Sequence, residues 1–330
     1  MRAYGMHHGR SRNCSRKTGL ALTAGVLLTA GLFWCRGYLA GDLPASGGLC
    51  RPGSDEPMAS AGDPATTEDP LEAACRQTEE WVRRQLGAGY SVIVRSPMVL
   101  GGDCSEAALD EWYRAAIRPA QSAMAASYFT ALPEEPVTIL LFSTEKRYRE
   151  NAIRLFADAD VSRFGYYRPH LRTVLVNLEG GTSGLFHELT HALMAFDFPD
   201  APDWLGEGLA SLHECARLRD DGKGIDGLEN WRLAVLREAI EKGSLPPLQK
   251  LVSDRDFRGQ SVRVNYAYAR CFCMYLQDHK LLEACYRACR NSNGTDPTGA
   301  AAVARLFPDR SWGELDADFL AWLARQDPHE

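Results

Sequence analysis

Near residue 182 the apolar pattern of this chain changes period, and that change limits the fold more than any other feature. Ahead of it lie short apolar runs of strand type at residues 90–95 and 137–142. Two more, at 165–167 and 172–177, are joined through Arg168-Pro169-His170. Helical periodicity fills 105–129 and 145–156, so two strand–helix units open the folded part. After the breaker Glu179-Gly180-Gly181-Thr182-Ser183-Gly184, the pattern from Leu185 onward is almost entirely helical. Strands first and helices afterwards predict an α+β domain: a mixed N-terminal sheet with helices, a mainly helical C-terminal part, and a cleft between them that carries the chemistry.

The N-terminus has a different character. Residues 1–17 are basic and 18 uncharged residues separate Lys17 from Arg36, so 18–36 reads as a signal peptide or a transmembrane anchor. In either case the basic flank stays in the cytoplasm and the remainder faces outward, which predicts an extracytoplasmic domain that is secreted, periplasmic or membrane-anchored. Residues 37–70, rich in Gly, Pro, Ala, Ser, Asp and Thr, read as a flexible linker, leaving 71–330 as the folded domain.

Residues 1–36 hold six Lys/Arg and no acidic group, so the rest of the chain carries 31 basic against 43 acidic side chains. No broad basic face remains to neutralise phosphates, and nucleic acid is excluded as an expected partner. Ten cysteines are many for a reducing compartment. Cys271 and Cys273 form a C-x-C, and Cys285 and Cys289 are four apart on a predicted helix. Neither pair has zinc-knuckle spacing, so one or two disulfides are expected rather than a cysteine metal site.

The chemistry concentrates in His187-Glu188-Leu189-Thr190-His191, an H-E-x-x-H at the start of a predicted helix. Residues four apart stack on one helical face, so both imidazoles can converge on one metal ion with Glu188 beside its open position. A catalytic zinc takes three protein ligands and leaves a fourth position for water. A metzincin would place glycine and a third histidine where this chain has Met194 and Asp197, so that class is excluded. Glu207 follows the second histidine by 16 residues, enough for one helix to end and another to return beside it, and is the candidate third ligand.

The run H-E-L-T-H-A-L followed by P-x-W-L-x-E-G-L-A, the latter spanning 202–210, resembles the gluzincin zinc metallopeptidases, in particular the bacterial peptidase-MA-like family. The likeness extends over about residues 90–280, including Leu245-Pro246-Pro247-Leu248 and Tyr266-Ala267-Tyr268-Ala269. It implies a zincin-like fold and a Zn2+ ion held by His187, His191 and Glu207. It further implies Glu188 as general base and Tyr266, or Tyr268 two residues on, as oxyanion donor. Such a protein hydrolyses peptide or protein substrates with metal-activated water. The strand at 172–177, if it is the sheet edge, would hold an extended peptide by its main chain. Larger gluzincins often carry an Asp four residues after the glutamate ligand to orient a histidine; this chain has Ser211 there. The alternative from another class is a catalytically inactive zincin-fold module that binds metal or peptide in the cell envelope.

Overall fold

The computed structural model describes residues 69–326. The expected signal or anchor at 18–36 and nearly all of the linker lie outside them. Among the described residues no helix is long and apolar enough to cross a membrane. Helix α1 (Pro70–Leu86) begins where Asp69 accepts the Leu71 backbone N–H, with proline in the first turn and Arg83 and Arg84 in the last, as the helix dipole favours.

Five strands follow, one more than the apolar pattern predicts: β1 (Ser91–Arg95), β2 (Met98–Gly102), β3 (Val137–Phe142), β4 (Gly165–Arg168) and β5 (Thr173–Asn177). Their order in the sheet is β1-β2-β3-β5-β4. The inner pairs β2/β3 and β3/β5 are parallel, while β1 and β4 run antiparallel to their neighbours, so the sheet is mixed as expected. Strand β2 escapes a reading that takes Gly101-Gly102 as a break. A Cβ on Gly102 would lie 2.1 Å from the Leu141 carbonyl oxygen, so glycine here serves close strand packing. A second correction concerns the edge. Strand β5 is interior and β4 is the free edge.

The sheet is covered on both faces, which is why its strands read as continuous apolar runs rather than alternating ones. Val137, Ile139, Leu141, Val174 and Val176 point into the large core shared with the C-terminal helices. Leu140, Phe142 and Leu175 point the other way, against α1 and α4 (Glu145–Phe156). The predicted helix at 105–129 is present as α2 (Glu106–Trp112) and α3 (Arg118–Ser127), with a wider π turn at Tyr113–Ile117 between them. Pro119 supplies no N–H there, and a π turn is a usual way for a helix to absorb that loss.

Beyond residue 182 come α5 (Ser183–Asp197), α6 (Asp203–His213), α7 (Arg232–Glu241), α8 (Leu248–Ser253), α9 (Val262–Asp278), α10 (Leu282–Ser292), α11 (Ala300–Leu306) and α12 (Trp312–Leu323). This half is not purely helical. A small antiparallel hairpin, β6 (Ala216–Leu218) and β7 (Ile225–Gly227), interrupts it. The expected disulfides are absent among the described residues: Cys75, Cys104, Cys215, Cys271, Cys273, Cys285 and Cys289 are free thiols. Five of these are fully buried and serve as small apolar core residues.

Candidate metal centre

Helix α5 turns one face to the core through Leu185, Leu189, Ala192 and Leu193, and leaves His187 and His191 half-buried on the other. Its C-terminal end is tied down by Asp197, the position where a metzincin would need its third histidine. That carboxylate accepts from the Thr130 and Ala131 backbone N–H groups at 2.7 and 2.8 Å, the Thr130 hydroxyl at 2.9 Å, Tyr286 at 3.0 Å and Arg290 at 2.7 Å. A carboxylate at a helix C-terminus opposes the dipole, so this set of donors is what makes the position tenable. Asp197 fixes the helix rather than a metal.

Helix α6 is buried from Trp204 to His213. It lies against α9 closely enough that a Cβ on Gly208 would meet the Ala269 carbonyl oxygen at 2.8 Å and Cys273 Sγ at 2.7 Å. The adjacent Glu207, 3% exposed, is thereby pressed toward α5.

The three predicted ligands converge. His187 Nε2 and His191 Nε2 are 3.2 Å apart, and each is 3.4 Å from Glu207 Oε2. Glu207 Oε2 is buried and, apart from the two facing imidazoles, has no hydrogen-bond partner. A tetrahedral site with metal–ligand bonds of about 2.05 Å has ligand–ligand edges of about 3.3 Å, so these three atoms fit three corners of one such site. The group could therefore hold a metal ion.

The charges agree with that arrangement. Burial acts against the His187 imidazolium, but hydrogen bonds to Glu207 and Glu214 outweigh it and carry the pKa up to about 10. Burial likewise acts against the Glu207 carboxylate, and the neighbouring His191 and His187 more than compensate, holding it well below the usual range. Glu188, 8% exposed, is raised by burial, against which the two histidines act in the opposite sense. A shift in this direction favours the protonated form of the carboxyl group.

No protein-family model matches this chain, and no curated protein matches it.

A cleft of about 560 Å³ opens over the three ligands, lined by Glu188, Tyr266, Gly165, Tyr167, Phe198 and Trp231 among others. Tyr266 presents its hydroxyl there, 3.3 Å from Arg258 Nη1. Burial, then the Glu207 charge, raises its pKa, so the phenol keeps its proton at neutral pH. Tyr268 goes elsewhere: it is fully buried, donates to Asp316 at 3.2 Å and packs on Phe319. His213 is buried against Tyr128, with Nδ1 2.9 Å from the Thr190 hydroxyl.

Three groups at this site are not apparent from the motif. Glu214 Oε1 lies 3.1 Å from His187 Nδ1. Its spacing of seven from Glu207 is two helical turns, and that is the signal by which sequence could have found it. Arg232 grips Glu214 through Nε at 3.0 Å and Nη2 at 2.6 Å. Arg258 donates to Glu207 Oε1, leaving Oε2 for the histidines, and reaches Asp203 at 3.3 Å. Arg258 sits in the turn between α8 and α9, 51 residues from Glu207, with no periodicity to announce it.

Proposed function

We propose that this protein is a zinc-dependent peptidase that works outside the cytoplasm, delivered or tethered by its N-terminal segment. The observation that carries the reading is the triangle of His187 Nε2, His191 Nε2 and the buried Glu207 Oε2. Two histidines and one glutamate are a standard catalytic zinc set and leave a fourth position open to the cleft. When bound, zinc lowers the pKa of water toward about 7 and polarises a carbonyl oxygen.

The chain's own residues supply the rest. Glu188, one residue after His187 and lining the same cleft, takes the proton from the attacking water and returns it to the leaving amine. Burial raises its pKa, the direction that favours holding the proton between these two steps. The Tyr266 hydroxyl donates to the carbonyl oxygen as that atom gains negative charge. A peptide extended along the free edge of β4, which lines the cleft at Gly165 and Tyr167, would pair with its main chain. Arg258 keeps one oxygen of Glu207 occupied so that the other is presented singly.

The test is hydrolysis of a peptide library by the purified protein, with chelator and zinc add-back. Cleavage that stops on chelation and returns with zinc is the expected result. Stoichiometric zinc binding without cleavage of any peptide would overturn the peptidase reading and leave a metal-binding module.

A further inference from the structure

Arg232 occupies a place that the local structure does not favour. It is the first residue of α7, where the helix dipole disfavours a cation, and its side chain is only 11% exposed. Burying a guanidinium costs several kcal/mol unless its partners are well placed. Here they are. Nε and Nη2 engage both oxygens of Glu214, itself 12% exposed, and Asn230 Nδ2 adds a contact to Oε2 at 3.4 Å. The backbone N–H of Arg232 donates to Asn230 Oδ1 at 3.0 Å, so the start of α7 is fixed to the same cluster.

Two consequences follow from where this ion pair stands. Glu214 Oε1 also meets His187 Nδ1, the ring nitrogen facing away from the other ligands, and so sets the rotation of that imidazole. The same guanidinium lies over aromatic rings, with Cζ 5.4 Å from the Tyr266 ring centroid and 4.6 Å from that of Trp231. One cation therefore touches the partner of a ligand and the ring of the oxyanion donor.

We propose that Arg232 is a positioning residue that holds His187 through Glu214 and Tyr266 through its ring, so that a single side chain registers the metal site against the donor across the cleft. This rests on the peptidase reading for its chemical meaning. The ring positions themselves are present without metal, which allows a separate test.

The experiment uses the full chain and the variants Arg232→Met, which keeps the apolar stem, and Arg232→Lys, which keeps the cation but loses the two-point grip. Crystal structures of the metal-free parent and variants are compared, and zinc affinity is measured by chelator competition. In Arg232→Met both the His187 and Tyr266 rings leave their parent positions, and zinc affinity falls about 10–100-fold. In Arg232→Lys the Tyr266 ring stays, while His187 moves and zinc affinity still falls; this variant decides the matter if the Met form does not fold. Where a cleavable peptide is in hand, kcat falls at least about tenfold with KM little changed, an effect a purely structural fastener would not produce. Both rings unmoved in the folded variants, or zinc affinity equal to the parent's, would overturn the proposal. A parent that takes up no zinc would end the peptidase reading, and the ring positions would still judge this one.

Discussion

The two halves of the molecule bury different things. On the sheet side the buried polar residues Ser127, Thr138, Asn151, Thr173 and Asn177 are neutral, and the nearly buried Asp103 carboxylate, 5% exposed, is held by Ser143 and Arg147. On the helical side, from α5 onward, Glu188, Glu207, His213 and Arg270 are all buried, and Glu214 and Arg232 are nearly so. Desolvating a charge is unfavourable unless it is satisfied: Glu207 is paired with Arg258 and Glu214 with Arg232, while Arg270 donates to the Ser211 and Leu228 carbonyl oxygens. The sheet side mainly packs apolar side chains, while the helical side buries more ionisable groups, Glu188 and Glu207 among them lining the cleft.

The sharpest way to separate the two halves is Glu188→Gln. The change keeps shape and leaves His187, His191 and Glu207 intact, so zinc content stays at the parent level while peptide hydrolysis falls by about 10²- to 10⁴-fold, the usual worth of a general base. Elemental analysis beside a cleavage assay reads both. Equal cleavage by the variant would remove Glu188 from the reaction.

Leu141→Ala is the counterpart in the sheet. Leu141 is fully buried in the central strand β3, and its truncation should cost about 2–5 kcal/mol in urea denaturation. Because it touches no ligand, the folded fraction should bind zinc as the parent does. Loss of zinc binding in that fraction would mean the halves are coupled more tightly than their chemistry suggests.

His213 makes the contrast pH-dependent. Burial, reinforced by the charge on His187, lowers its pKa from 6.5 to about 3. The unfolded chain then binds a proton below about 6.5 that the folded chain refuses until near pH 3, so folding stability drops as pH falls through that window. Between pH 7 and pH 5 the parent should lose about 2 kcal/mol more than His213→Gln, measured by denaturation at both values. Parallel pH profiles would show that the folded protein admits the proton.

The smallest effect lies farthest from the chemistry. Ser311 and Glu314 form a reciprocal cap at the start of α12, and Ser311→Ala should cost about 1 kcal/mol with no change in zinc binding.

What the sequence could disclose follows the same division. The α+β order, the apolar strands and the convergence of His187, His191 and Glu207 obey short-range rules of period and spacing, so they are legible. Strand β2 was hidden because its glycines resemble a turn when the neighbouring strand is not known. The condition that the strand at 172–177 be the sheet edge is not met, because β4 pairs beyond it, and strand order in a sheet is a tertiary property. Glu214 was readable by its seven-residue spacing from Glu207, but Ser211 drew attention to a position four residues on. Arg232 and Arg258 lie at a helix start and in a turn, and only folding brings them to the site.

The central claim is that His187, His191 and Glu207 together hold one zinc. Elemental analysis and zinc titration of the purified protein beside His187→Ala and Glu207→Ala test it most directly. The account predicts about one zinc per folded chain in the parent and loss of tight binding in both variants. A parent without zinc after add-back, or a variant that binds it as tightly as the parent, would contradict it.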